Sequence, residues 1–281
     1  MMPPHSSLSR RSVLAGATAA AAGTLGMTAT SPAAAANTGH ETAERGTGRT
    51  IVLVHGAFAD ASSWQPVTER LQRHGHEVVA VPNPLRCLAH DAAHLAARLA
   101  ALPGPIVLAG HSYGGAVITR AAATAPHVKA PVYISAFMPD AGEVLGELAG
   151  RFPGSQLEPA LTAVPTPAPD GTPGLDLYIR PDRYHDVFAQ DAPRSVTRVL
   201  AAGQRPLTAT AFTDRCTAAV WHTLPTWTLV STRDRGIAPE LQRFQARRAG
   251  SRTTEVPTSH LPMYSRPDAV TSLIRAATRT L

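Results

Sequence analysis

The stretch IVLAGHSYGGAVI, Ile106 to Ile118, runs from a strand-like apolar segment into a helix-like one, with a single serine at the join. Gly110, Gly114 and Gly115 fence that serine, Ser112. One reading is a tight turn, in which the glycines permit the bend and Ser112 caps the next helix. The other is that the turn strains the serine outward so that its oxygen can attack an electrophile. Gly110-His-Ser-Tyr-Gly114 fits G-x-S-x-G between strand and helix, the context a nucleophile elbow needs. At such an elbow the serine backbone is strained, and neighbours with side chains would collide with the adjoining elements. The helix N-terminus supplies free N–H groups beneath the oxygen. The two readings make different demands on the rest of the chain.

Working outward, Thr50-Ile-Val-Leu-Val54 is a continuous apolar run of the kind buried on both faces of a parallel sheet. Trp64 to His74 has helical spacing (Val67, Leu71), with Ser62 or Ser63 as cap, Pro66 in the first turn and Gly75 at its end. Glu77–Val81 reads as a strand, Asp91–Leu102 as a helix, Ile106–Ala109 as a strand, Gly115–Ala125 as a helix and Val128–Phe137 as a strand. This alternation predicts an α/β fold: a mostly parallel sheet of about six strands with helices on both faces. The rhythm breaks over 138–223, where a Pro/Gly-rich stretch (Ala163 to Gly174) reads as irregular and Tyr184–Ala189 and Val196–Ala202 read as short helices. It resumes with a strand at Pro225–Val230, a helix at Pro239–Ala249, a strand at Thr253–Val256 and a helix at Pro267–Thr280. An insertion of that kind is expected to be a lid over the sheet's carboxyl edge, where parallel sheets bind ligands.

The 281 residues carry a formal charge of +6, and arginine supplies almost all the positive charge because Lys129 is the only lysine. No aromatic–basic interleaving accompanies it, which argues against nucleic-acid binding. At the N-terminus, SLSRRSVLAG places Arg10-Arg11 ahead of an uncharged Ala/Gly/Thr-rich run that extends to Ala36. This resembles a twin-arginine export signal over residues 1–36, with cleavage expected near Ala35 or Ala36. A membrane anchor is the other reading of about twenty uncharged residues, but Pro32 and five Thr or Ser residues make the run only mildly apolar. The expectation is a secreted protein with no stable membrane association after cleavage. Residues 37–49, polar and rich in Gly and Thr, read as a flexible connector, and 50–281 as the folded domain. Cys87 and Cys216 are the only cysteines; a bridge between them and two unpaired thiols both remain open.

A serine hydroxyl needs a histidine to take its proton and an acid to orient that histidine. Leu229-Val-Ser-Thr-Arg-Asp234 puts an aspartate just beyond a strand, and Val256-Pro-Thr-Ser-His260 puts a histidine just beyond the last one, in the order Ser, Asp, His. Bland alternatives are a helix-capping Asp234 and a solvated loop His260. Asp140, beyond the fourth strand, is the second candidate acid. His111 should point away from the Ser112 oxygen, and His55 should bond within the turn that follows it. His90 and His94 lie four apart on a helix and would make half a metal site, but no third ligand stands out, so no metal is expected. For the developing oxyanion, the N–H of Tyr113 is one donor, and the loop after the first strand offers Ala57, with Phe58 as the next choice. Phe58, Tyr178, Phe188, Trp221 and Leu261 are candidates to line an apolar pocket, though the lid aromatics would serve equally as lid core.

Five segments together carry a resemblance: HGAFADASSW, AGHSYGGAVI, VYISAFMPDAGE, TRDRGIAPELQRF and PTSHLPMYSRPDAV. They look like an α/β-hydrolase superfamily esterase, in the branch that holds plant hydroxynitrile lyases, plant methylesterases and bacterial pyrethroid-hydrolase-like esterases. The likeness runs from about Thr50 to the C-terminus and is faintest in the lid. It implies a six-stranded parallel sheet, a capped pocket, a Ser112–Asp234–His260 triad and no cofactor. The lyase members carry a lysine beside the catalytic histidine. Here that neighbour is Leu261, and without the cation nothing stabilises a departing cyanide. Dehalogenases and epoxide hydrolases of the superfamily have an aspartate at the elbow, against which Ser112 argues. The expectation is hydrolysis of a small to medium carboxylic ester through an acyl-enzyme. A lactonase, thioesterase or C–C hydrolase would use the same residues, and a non-catalytic binding protein would retain only the pocket.

Overall fold

In the computed structural model, which describes residues 49–167 and 171–281, the apolar runs become the inner strands of one sheet. The strands are β1 (Thr50–Val54), β2 (Glu77–Val81), β3 (Ile106–His111), β4 (Val128–Ile134), and, after the lid, two further strands, Trp227–Ser231 and Arg252–Val256. They lie in the order β2, β1, β3, β4, then the two late strands, and every pairing is parallel. Every residue of β1 and β3 is buried, whereas Arg252–Val256 at one edge is largely exposed and β2 at the other is half-buried. That gradient explains the sequence: apolar on both faces inside, Glu-, Arg- and Thr-bearing at the edges.

Helices α1 (Gln65–Arg73), α2 (Leu88–Ala100) and α3 (Tyr113–Ala121) connect the first four strands. Right-handed crossovers put α1 on one face, because it leads outward from β1 to β2, and α2 and α3 on the other, because they lead back across the sheet. α2 accordingly packs on α3, and α1 packs on the C-terminal helix Pro267–Thr278. The chain reverses direction between β1 and β3, so the loops that follow their carboxyl ends part there and leave a crevice.

The lid is more ordered than its proline content predicts. It comprises α4 (Leu145–Ala149), β5 (Leu161–Pro167), β6 (Pro173–Ile179), α5 (Pro181–Phe188), α6 (Arg194–Ala202) and β7 (Leu207–Thr208). Of the stretch read as irregular, Ala163 to Gly174, the described parts Ala163–Pro167 and Pro173–Gly174 pair antiparallel within β5 and β6. Pro165 and Pro167 are tolerated because β5 is the edge of its three-stranded sheet, and Pro173 because it opens β6. The remaining elements are β8 (Trp227–Ser231), α7 (Pro239–Arg248), β9 (Arg252–Val256), α8 (Pro262–Ser265) and α9 (Pro267–Thr278).

The expected export signal over 1–36, and the connector up to residue 48, lie outside the described residues. Arg49, the last connector residue, places its guanidinium on the carbonyls of Thr278 and Leu281. Both cysteines are free. Cys87 accepts a hydrogen bond from the His90 amide, and buried Cys216 donates to the Ala218 carbonyl. Among the described residues no helix is long and apolar enough to cross a membrane.

Candidate active site

Ser112 joins β3 to α3 with φ 55° and ψ −125°, a conformation that costs a non-glycine residue roughly 1–3 kcal/mol. The surroundings hold it there: its amide donates to the Ile134 carbonyl and its carbonyl accepts from the amides of Gly115 and Phe137. The fencing glycines are required by contact. A Cβ on Gly110 would stand 2.6 Å from the Gly114 carbonyl oxygen, and one on Gly114 would stand 2.6 Å from that of Val54. Across the crevice, a Cβ on Gly56 would stand 2.6 Å from that of Ser112.

Three loops at the carboxyl edge converge on this serine. The loop after β9 brings His260 Nε2 to 2.8 Å from Ser112 Oγ. The loop after β8 brings Asp234 Oδ2 to 2.7 Å from His260 Nδ1. A carboxylate only accepts, so Nδ1 carries the proton and the Nε2 lone pair faces the serine hydroxyl. Ser112, Asp234 and His260 are all buried. Asp234 is bound at every side: Oδ1 accepts from the amides of Gly236 (2.7 Å) and Ile237 (2.9 Å), and Oδ2 also accepts from Gln242 Nε2 at 2.8 Å. Gln242 is itself locked, donating to the Ile237 carbonyl and accepting from the Ser231 amide.

The loop after β1 supplies backbone donors. The Phe58 amide donates to the Arg205 carbonyl in the lid. Among the described residues the amides of Ala57 and Tyr113 donate to no backbone carbonyl of the turns and loops. Tyr113 is braced through its hydroxyl, which donates to Asp91 Oδ2 at 2.7 Å, while the Arg86 amide donates to the other oxygen. Burial raises the Asp91 carboxyl above its usual range and the Tyr113 phenol far above its own.

His111 turns away from Ser112 Oγ. Its Nε2–H donates to the His260 carbonyl at 2.8 Å and its ring lies 4.8 Å from that of His260. Burial and the neighbouring His260 push its pKa well down, so it stays neutral and does not repel a charge on His260. His55 Nδ1 bonds the Gly56 carbonyl and Nε2 accepts from the Asn83 amide; burial lowers its pKa to about 4. Asp140 pairs with His222 at 2.9 Å near the surface and makes no contact with His260. His90 and His94 are exposed on α2, and among the described residues no third metal-binding side chain joins them.

Of the pocket candidates, Phe188 packs its ring 4.8 Å from that of His260 and 6.2 Å from that of Phe58. Leu261 is buried beside them and, with Tyr184, Ala59 and Leu200, walls a cleft of about 180 Å³. Trp221 instead bonds the Pro139 carbonyl and lies under Arg248, and Tyr178 is half-buried in β6 opposite Thr162; neither touches the Ser112–His260 pair. Gln242 and Asp91 escaped the sequence reading. Their one signal was a polar residue on the inward stripe of a helix, beside Leu241 for Gln242 and beside Ala92 and Leu95 for Asp91.

A family model described as the alpha/beta hydrolase family matches residues 51–273. The chain belongs to that family. This α/β hydrolase is 32% identical over 111 residues to a carbendazim hydrolyzing esterase of Nocardioides sp. (strain SG-4G), a match covering 34% of this chain and 45% of that enzyme. The chain thus spans less than half the length of this curated relative. Among solved structures it is similar to polyneuridine aldehyde esterase, with a TM-score of 0.72 and 22% identity over 82% of this chain and 99% of that one. A pyrethroid hydrolase from Sphingobium faniae JZ-2 follows at 0.65 and 21%, over 82% and 99%. At these identities the likeness to the two structures speaks for the fold.

Proposed function

We propose that this α/β hydrolase is a serine esterase acting on a small to medium carboxylic ester. The observation that carries the reading is the unbroken line from Ser112 Oγ through His260 to Asp234, at 2.8 and 2.7 Å. His260 Nε2 takes the serine proton as Oγ attacks the ester carbonyl. The amides of Ala57 and Tyr113 hold the oxyanion, where charge appears only as the tetrahedral centre forms. Asp234 keeps the Nδ1–H tautomer and stabilises the imidazolium. His260 then returns the proton to the leaving alcohol, and water repeats the cycle on the acyl-enzyme. No cofactor enters these steps. The names of the similar proteins, a carbendazim hydrolyzing esterase and a polyneuridine aldehyde esterase, support ester chemistry. The buried Phe58, Phe188 and Leu261 around His260 favour a partly apolar substrate.

A fluorophosphonate probe followed by peptide mapping tests the nucleophile, and p-nitrophenyl esters of graded acyl length test the substrate class. Labelling confined to Ser112 with turnover of short-chain esters is expected. Absence of label on Ser112 overturns the proposal.

A further inference from the structure

The lid reaches the site through four consecutive residues that follow and end α5. Phe188 lays its ring 4.8 Å from that of His260. Ala189 is buried. Gln190 Nε2 donates to the Arg233 carbonyl at 2.6 Å, one residue before Asp234. Asp191 takes the Ser259 amide on Oδ2 at 2.8 Å and the Ser259 hydroxyl on Oδ1, one residue before His260. The lid thus holds both loops that carry the acid and the base, each at the residue immediately ahead of the functional one.

The loop beneath is held from the sheet side by Thr258, whose hydroxyl meets that of Ser231 and whose carbonyl accepts the Arg233 amide, and by His111 on the His260 carbonyl. The Asp191 carboxylate holds Ser259, between those two points. His260 must keep two short contacts at once, and a shift of about 1 Å in such a group costs on the order of a hundredfold in rate. The Ser259 amide has no sheet partner, since β9 ends at Val256, and Ser259 is fully buried. A buried amide without an acceptor would draw the loop toward any other partner. Asp191, although exposed itself, supplies two acceptor oxygens in the geometry that one serine's N–H and O–H present.

We infer that Asp191 is a positioning residue for the reaction, setting the His260 loop through Ser259, so that the lid is part of the catalytic arrangement as well as a cover. The inference rests on the serine-esterase reading. An asparagine at this position keeps both contacts by exchanging roles: its carbonyl accepts from the Ser259 amide and its NH₂ donates to the Ser259 hydroxyl. Alanine keeps neither.

The test compares wild type, Asp191→Ala and Asp191→Asn by fluorophosphonate labelling rate and by kcat and KM on p-nitrophenyl acetate, with thermal unfolding measured for each. Asp191→Ala is expected to slow labelling and kcat roughly 10- to 100-fold with KM within about threefold, and Asp191→Asn to recover to within about threefold of wild type. A purely structural role would lower the unfolding temperature and leave the labelling rate of the folded fraction unchanged. If Asp191→Ala does not fold, Ser259→Ala removes only the hydroxyl contact and should slow labelling several-fold. Wild-type labelling in the folded alanine variant, or an asparagine variant as slow as alanine, overturns the inference while leaving the esterase reading intact. Failure of wild type to label at Ser112 overturns that reading, and this inference with it.

Discussion

Replacing Asp234 by asparagine changes one oxygen to an NH₂ in a pocket whose four contacts are all donors to the carboxylate: the amides of Gly236 and Ile237, Gln242 Nε2 and His260 Nδ1. If the new NH₂ takes the Oδ2 place, it faces Gln242 and His260. If it takes the Oδ1 place, it faces the two amides. Gln242 cannot rotate to help, because the Ser231 amide and Ile237 carbonyl hold its orientation. In the first arrangement His260 escapes the clash by moving its proton to Nε2, which then points a hydrogen at Ser112 Oγ and cannot accept one. We expect kcat to fall by about four orders of magnitude, which is about 5.4 kcal/mol of barrier. The remaining unmatched donor pair should cost about 2 kcal/mol of stability, or about 4–8 °C in Tm for a domain of this size. Ester turnover and thermal unfolding by circular dichroism, measured on the same preparation, give both numbers. Activity within tenfold of wild type would refute the assignment of the acid, and the matching variant Asp140→Asn, at a carboxylate that meets His222 and the Ala141 amide, should remain within about twofold.

Ser112→Ala should lower ester turnover by about four orders of magnitude or more, abolish probe labelling and leave the fold intact, since only the oxygen is lost; labelling at another residue would refute the nucleophile. Acid stability should follow His55. Its folded pKa lies near 4 against 6.5 unfolded, so the unfolded chain binds a proton that the folded one refuses, and stability present above pH 6.5 is lost as pH falls toward 4. The expected loss from His55 is about 2 kcal/mol between about pH 7 and about pH 4.5, read from urea unfolding at the two values, and a flat profile would refute it. For the N-terminus we propose export by a twin-arginine signal: replacing Arg10 and Arg11 by lysine should retain precursor inside the cell, whereas wild type should be released with a mature end near Ala36. Secreted protein that still begins at Met1 would refute cleavage.

Some of this molecule was legible in one dimension because its causes are local. An inner parallel strand is buried on both faces, so β1 and β3 are written as unbroken apolar runs, and a helix between them is written in its spacing. The elbow was legible for a related reason: backbones that approach as closely as Gly110 and Gly114 exclude any Cβ, and the glycines stand beside the serine in the chain. Asp234 and His260 could be selected because each follows a strand whose end must lie at one edge of the sheet. What needed the tertiary structure was every feature set by a partner distant in sequence. The prolines of β5 argued for irregular chain, and only the neighbour β6, with solvent on the other side, made them edge-strand residues. That the lid carbonyl of Arg205 takes the Phe58 amide was equally invisible along the chain. Gln242 and Asp91 read as ordinary helical polar residues until folding laid them against Asp234 and Tyr113. Asp191 stands 68 positions from the serine it holds. The sequence by itself determined the sheet, the elbow and the order of the three polar groups, because those follow from sterics and periodicity along the chain. Only the tertiary structure decided how they are held, because a hydrogen bond between distant residues leaves no periodic trace in either of them.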